Sequence, residues 1–211
     1  MGAERKVAEK FSTQAVGPEL RSLLGKHISP GYVSSCGVRR VFKKGVDHLV
    51  EPYRTVVKKL VEELNRVFSS RLISVVVYGS VARGDARRDS DVDVLIVVED
   101  LPKSHFERLG VYMDAESRLD PFLEELYEKG YAITISPILK TREEAKRITP
   151  LYLDMVEDAV IVYDRDRFFE GVLLRLREIL EKLGAKRVYV GKKWYWVLKE
   201  GAKYGEVIVI E

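Results

Sequence analysis

VVVYGSVARGDARRDSDVDVLIVV, residues 75–98, holds two apolar runs of strand length separated by a polar loop. The first run, 72–78, is rich in β-branched residues and stops at Gly79-Ser80, the signature of a buried strand ending abruptly. Glycine lets a backbone approach a ligand closely, and Ser80 stands where a following helix would begin. The free N–H groups of such a start, with a serine hydroxyl, suit phosphate oxygens. Ten residues later Asp91-Val92-Asp93 opens the second strand, 91–98. Side chains alternate across a strand, so Asp91 and Asp93 share one face while Val92 enters the core. Two neighbouring carboxylates suit a hard divalent cation. Mg²⁺ in particular takes one or two carboxylates together with substrate phosphates. Phosphate cradle and carboxylate pair at adjacent strand ends therefore point to metal-assisted displacement at phosphorus.

Outward from this centre, the residues order as helix, strand, helix, strand, helix, strand, which predicts an α+β core. Val56, Val57, Leu60, Val61, Leu64 and Val67 recur at three- and four-residue spacing, predicting a helix from Pro52 to about 69–71. Downstream, a helix is expected over 106–128, interrupted or re-angled near Pro121. A strand is expected over 131–139, where Pro137 favours an edge. Further helices are expected over 141–147 and 151–157, and a strand over 159–163. Asp164 could cap an amphipathic helix over 167–183 that stops at Gly184. Segments 187–190, 194–198 and 206–210 alternate like strands. Residues 1–50 read as a helical or irregular extension, with short helices suggested around Val7 and Phe11 and after Pro18. The expected organisation is thus an extension over 1–50, a core over 51–140 and a C-terminal α/β extension over 141–211.

Composition narrows the class further. The chain has 211 residues, 46% hydrophobic and 33% charged, so one sizeable soluble core is the default. Its 36 Lys+Arg against 33 Asp+Glu are too balanced to argue for a nucleic-acid partner. No apolar run is long enough for a membrane span, and the N-terminus lacks a secretory h-region. The single cysteine, Cys36, excludes an internal disulfide and fits a cytoplasmic location. Asn65 and Gln14 are the only side-chain amides, a bias expected of a thermophile. His27, His48 and His105 have no metal-ligand spacing.

The GS pair followed after ten residues by DVD resembles the signature of the DNA-polymerase-β-like nucleotidyltransferase superfamily. The wider string GSVARGDARRDSDVD is similar to its minimal prokaryotic members. The resemblance implies a short mixed sheet backed by helices, an NTP donor with ATP expected, and Mg²⁺ as cofactor. By position, Gly79 and Ser80 would hold the phosphates, and Asp91 and Asp93 would be the catalytic metal ligands. Arg83 is a candidate for contact with phosphate or acceptor, and equally for pairing with Asp85 or Asp89. The implied reaction moves NMP to a hydroxyl acceptor with release of pyrophosphate. The acceptor could be protein, RNA or a small molecule. Protein is preferred, because small stand-alone members often resemble antitoxins that modify a helical toxin.

One departure stands out. Active members usually carry a third carboxylate on a later strand, and the expected strand 131–139 has none, with Ser136 or Thr134 at that place. Asp114, Asp154 and Glu157 are conceivable substitutes. The alternative readings are therefore a catalytically degenerate nucleotide-binding module, and an RNA-directed enzyme served by the Arg/Lys clusters at 39–44 and 83–88. Trp194, Tyr195 and Trp196 could stack a base, although packing is the commoner use of such residues. A homodimer edge among the C-terminal strands is left open.

Overall fold

Apolar residues recurring every three or four positions bury one side of the helix α1 (Tyr53–Phe68), where Val56, Val57, Leu60 and Leu64 lose all solvent contact. This computed structural model describes residues 42–191, 193–203, 206–208 and 210. The helices read around Val7, Phe11 and Pro18 lie outside them. A 3₁₀ turn over Ser69–Arg71 turns the chain into β2 (Leu72–Tyr78), buried throughout except at Tyr78. The short helix α2 (Gly79–Arg83) and a loop then lead to β3 (Val92–Val98).

These strands form the centre of a five-stranded mixed sheet, in the order β1 (Lys43–Lys44), β5 (Val160–Asp164), β2, β3, β4 (Ile135–Thr141). β2 runs antiparallel to β3, with Val77 opposite Val94 and Tyr78 opposite Asp93. β4 (Ile135–Thr141) lies parallel to β3 at one edge, with Ser136 opposite Asp93. Its edge place accommodates Pro137, which has no N–H to give to a ladder. β5 (Val160–Asp164) pairs antiparallel with β2, and the two-residue β1 (Lys43–Lys44) pairs parallel with β5. The sheet thus takes strands from 43–44 and 160–164 as well as from the middle of the chain.

One face of β2 and β3, carrying Val75, Val77, Val94 and Ile96, packs with α1 and with Tyr112 and Ala115 of α3 (His105–Glu116). Val76, Leu95 and Val97 alternate to the other face and are equally buried. There α6 (Leu151–Asp158) packs on β2. The remaining helices of this part are α4 (Asp120–Glu128) and α5 (Arg142–Lys146).

The interruption expected near Pro121 divides 106–128 into two helices, α3 and α4, because Pro121 starts the first turn of a new helix and cannot continue an old one. The sequence expectation needs correction at three points. The strand expected over 131–139 begins only at Ile135, since Ala132 gives its N–H to the carbonyl of Arg88 in the motif loop. Lys43–Lys44, read as irregular, form β1 by borrowing the ladder of β5. Residues 206–208 and 210 are not in a strand.

The molecule divides into two compact units. Of the described residues, 42–176 form one, and those from Arg177 onward belong to the other. α7 (Phe168–Leu183) starts under Asp164, whose carboxylate accepts from the N–H groups of Phe169 at 3.0 Å and Glu170 at 2.9 Å. At the C-terminus, β6 (Lys186–Val190) and β7 (Lys193–Val197) make an antiparallel hairpin.

Candidate active site

Alternation from Val92 places Asp93 on the α6 face of the sheet, next to Tyr78 of β2 and Ser136 of β4 in ladder register. Asp91, two residues earlier, shares this face, and Thr134 Oγ1 donates a hydrogen bond to its Oδ1. Gly79 meets the pair at close range. Its φ is +70°, and a Cβ there would lie 2.1 Å from Asp93 Oδ2. Only glycine fits both the left-handed backbone and the space.

α2 is short because Gly84, at φ +82°, turns back and donates to the carbonyl of Ser80 at 3.0 Å. Lys43 Nζ donates to the carbonyl of Ala82 at 3.0 Å, so β1 also holds the end of α2. The loop between Gly84 and Asp91 is fixed from three sides. The Tyr53 hydroxyl donates to the carbonyl of Arg87, the Ser90 hydroxyl accepts from Arg87 N–H at 2.9 Å, and the Arg88 guanidinium lies 5.2 Å from the Tyr131 ring centre. Ser90 therefore shapes the turn before β3. Arg83 pairs with Asp85, Nε to Oδ2 at 3.2 Å.

Electrostatics knit these residues into one site. Burial pushes the Asp93 carboxyl above the usual carboxylate range. Asp91 adds to the rise, and Arg83 opposes it. Burial, and then Asp93, push the Tyr78 hydroxyl up to about 12. Gly79, Arg83, Asp91 and Asp93 are thus brought together, with Ser80 next to Gly79 in α2. Sequence reasoning missed Tyr78. Its signal was its position, last in a strand whose antiparallel neighbour carries an aspartate near its start.

The donor set fits a hard cation. Both groups are carboxylates, and their mutual repulsion is what a divalent ion would relieve. Among the described residues, no group of three or more His, Cys, Asp or Glu could hold a metal. The register puts Ser136, an alcohol, opposite Asp93. Of the conceivable substitutes, Asp114 belongs to α3 on the opposite face, where with Arg66, Val67, Ser117 and Arg118 it lines a cavity of about 520 Å³. Asp154 and Glu157 lie on α6, which packs on α2.

The profile of the nucleotidyltransferase domain matches residues 57–163. A Methanocaldococcus jannaschii protein with the provisional name protein adenylyltransferase is 31% identical over 147 residues, 69% of this chain and 93% of that protein. The protein adenylyltransferase MntA of Thermococcus cleftensis is 36% identical over 89 residues, 41% of this chain and 85% of its own length. Among solved structures, a toxin-antitoxin crystal structure with AMP-PNP aligns with a TM-score of 0.39 at 16% identity, over 60% of this chain and 91% of that one.

Proposed function

The chain belongs to the nucleotidyltransferase family, and from that premise we propose that it transfers AMP from ATP to a hydroxyl of a partner protein, releasing pyrophosphate. One observation carries the site assignment: the missing Cβ of Gly79 leaves the space in which the carboxylate of Asp93 stands beside the start of α2. Asp91 and Asp93 would hold Mg²⁺. Bound there, the ion would neutralise phosphate charge and help the pyrophosphate leave. Gly79 and the N–H of Ser80 would cradle the phosphates, and Arg83 would turn from Asp85 toward them. Thr134 orients Asp91 through its hydroxyl, and the loop bonds of Tyr53 and Ser90 fix where the strand begins. The acceptor oxygen bonds to the α-phosphorus, the bond to pyrophosphate breaks, and the acceptor's proton passes to solvent water.

A protein acceptor is supported by the names of the relatives to which this chain is similar, and the same names support ATP as donor. Residues 51–140 would carry the donor site, leaving 1–50 and 141–211 to recognise the acceptor. No described helix is long and apolar enough to cross a membrane, and together with the lone cysteine this supports a cytoplasmic place of action. The near absence of side-chain amides supports a hot habitat.

The test is transfer of α-labelled ATP into an extract of the source cells, with wild type and with Asp91→Asn/Asp93→Asn. Label that enters protease-sensitive, nuclease-resistant material only with wild type and Mg²⁺ supports the reading. Nuclease-sensitive label would replace the protein acceptor with RNA. Absence of both label and pyrophosphate release would remove the transfer reaction itself.

A further inference from the structure

We propose that two copies of this chain pair through the outer face of α3, each seating Phe106 in a cavity beside Ser117 of the other. α3 turns Tyr112 and Ala115 into the core. Phe106, Gly110, Met113 and Ser117 follow one another at four-, three- and four-residue spacing, so they form one stripe along the helix and its C-cap. The stripe lies in solvent. Phe106 is 85% exposed and Met113 61%, and Gly110 and Ser117 are exposed with them. Single apolar residues are ordinary on a surface, but two large ones on one stripe mark a contact face.

The stripe is complementary to itself. Large and small residues alternate along it as Phe, Gly, Met, Ser. A two-fold axis passing between Val111 and Tyr112 brings two such helices together antiparallel, and every contact is then made twice. Met113 of one protomer lies over Gly110 of its partner, and Phe106 over Ser117. Gly110 has room for this, because a Cβ built on it would meet nothing within 4 Å. Phe106 finds more than a gap. Ser117 lines, with Arg66, Val67, Asp114 and Arg118, the cavity of about 520 Å³. Glu63 holds Arg66 and Arg118 there, at 3.0 and 3.8 Å. A phenyl ring entering the cavity meets two guanidinium groups, the cations that aromatic faces attract. The same axis brings Lys103, exposed just before α3, toward Asp120, exposed at the start of α4. A parallel pairing would instead set Lys103 against Lys103, so charge favours the antiparallel one. α3 packs on the side of the sheet away from Asp93, and the inference does not rest on the transfer reaction.

One helix against one helix is a small interface, in the class below about 1,200 Å² that weak complexes use, so a micromolar dimer is expected. Sedimentation velocity of the full-length protein over roughly 5 to 500 μM brackets such an affinity and should show monomer passing into dimer. Gly110→Leu fills the space that Met113 needs. It spares the monomer, because leucine is the better helix former and its Cβ meets no neighbour. This variant should melt no lower than wild type and stay monomeric throughout. Phe106→Ser should raise the dissociation constant at least about tenfold, as loss of a central aromatic anchor does. Val50→Ser, which removes a half-exposed apolar side chain elsewhere, should leave it unchanged. Lys103→Glu and Asp120→Lys should each weaken association and together restore it. A wild type monomeric at every concentration would overturn the proposal and assign the face to a different protein. A dimer that survives Gly110→Leu would overturn it by placing the contact elsewhere. Val50→Ser costing as much as Phe106→Ser, or charge variants that fail to restore each other, would do the same.

Discussion

Gly79 and Asp93 form a pair in which each residue dictates the other. Alanine at 79 would set a Cβ 2.1 Å from Asp93 Oδ2 and would also sit at φ +70°. The backbone strain costs about 1–2 kcal/mol, but the larger effect is displacement of the carboxylate. A misplacement of about 1 Å at a reacting centre lowers rates on the order of 100-fold. Gly79→Ala is expected to remain folded and to lose at least that much transfer activity, measured as pyrophosphate release. Asp93 supports a second expectation. Its carboxyl is raised by burial and by Asp91, so the folded state holds the proton more tightly than the unfolded chain does. The stability tied to that proton is present below the ordinary Asp value and is lost as pH rises through the raised one. At neutral pH the ionised group therefore weighs against folding. Asp93→Asn should melt a few degrees higher than wild type at pH 7, with the advantage vanishing toward pH 4, while Mg²⁺-dependent nucleotide binding disappears. A variant that melts lower at neutral pH would contradict this account of the site.

Two carboxylates do for the elements what Asp93 does for the chemistry. Glu144 closes a capping box with Thr141 at the start of α5 and takes both terminal nitrogens of Arg108, at 2.6 and 2.9 Å, tying α3 to α5. The Arg108 hydrogen bonds hold its carboxyl at about 2. Its stabilising contribution is full above 4.5 and drains away as pH falls toward 2. Glu144→Ala should cost about 2 kcal/mol at pH 7, from the lost cap and from an Arg108 left only one-tenth exposed. The deficit should shrink in urea melts near pH 3. Asp164 accepts from the fully buried Ser74 hydroxyl at 2.5 Å as well as from two N–H groups of α7. Asp164→Ala strands all three donors and should cost about 2–3 kcal/mol. The capping role of Asp164 could be read from its place before an amphipathic run. Its bond to Ser74 could not, because that contact joins residues 90 apart. The same divide explains β1. Lys43 and Lys44 have no strand signal of their own and become a strand only because β5 offers an open ladder.

Across the whole molecule, the part legible in the sequence was the part whose function depends on local order. A strand, a glycine turn and two alternating aspartates lie within twenty-four residues, so periodicity alone puts Asp91 and Asp93 on one face. What surrounds them is set by strand order, which periodicity does not encode. Hence Tyr78 went unnoticed, and whether Thr134 or Ser136 faced which carboxylate stayed open until the parallel β3–β4 register placed both. That register also frames the question of the third carboxylate. An aspartate at 136 would stand opposite Asp93 in the ladder, so Ser136→Asp should strengthen Mg²⁺ dependence if two carboxylates limit the rate. A global measurement tests the donor site without knowing the acceptor. A ligand bound only by the native state at about 100 times its Kd adds about 2.7 kcal/mol. In a chain of this length that corresponds to roughly 5–10 °C in Tm. Mg²⁺ with ATP should raise the melting temperature of wild type by that amount, ATP with excess chelator by much less, and neither should move Asp91→Asn/Asp93→Asn. A wild-type protein indifferent to Mg²⁺ and ATP at millimolar concentration would leave the aspartates without their donor. Equal shifts in wild type and double variant would place the nucleotide somewhere other than the Gly79–Asp93 junction.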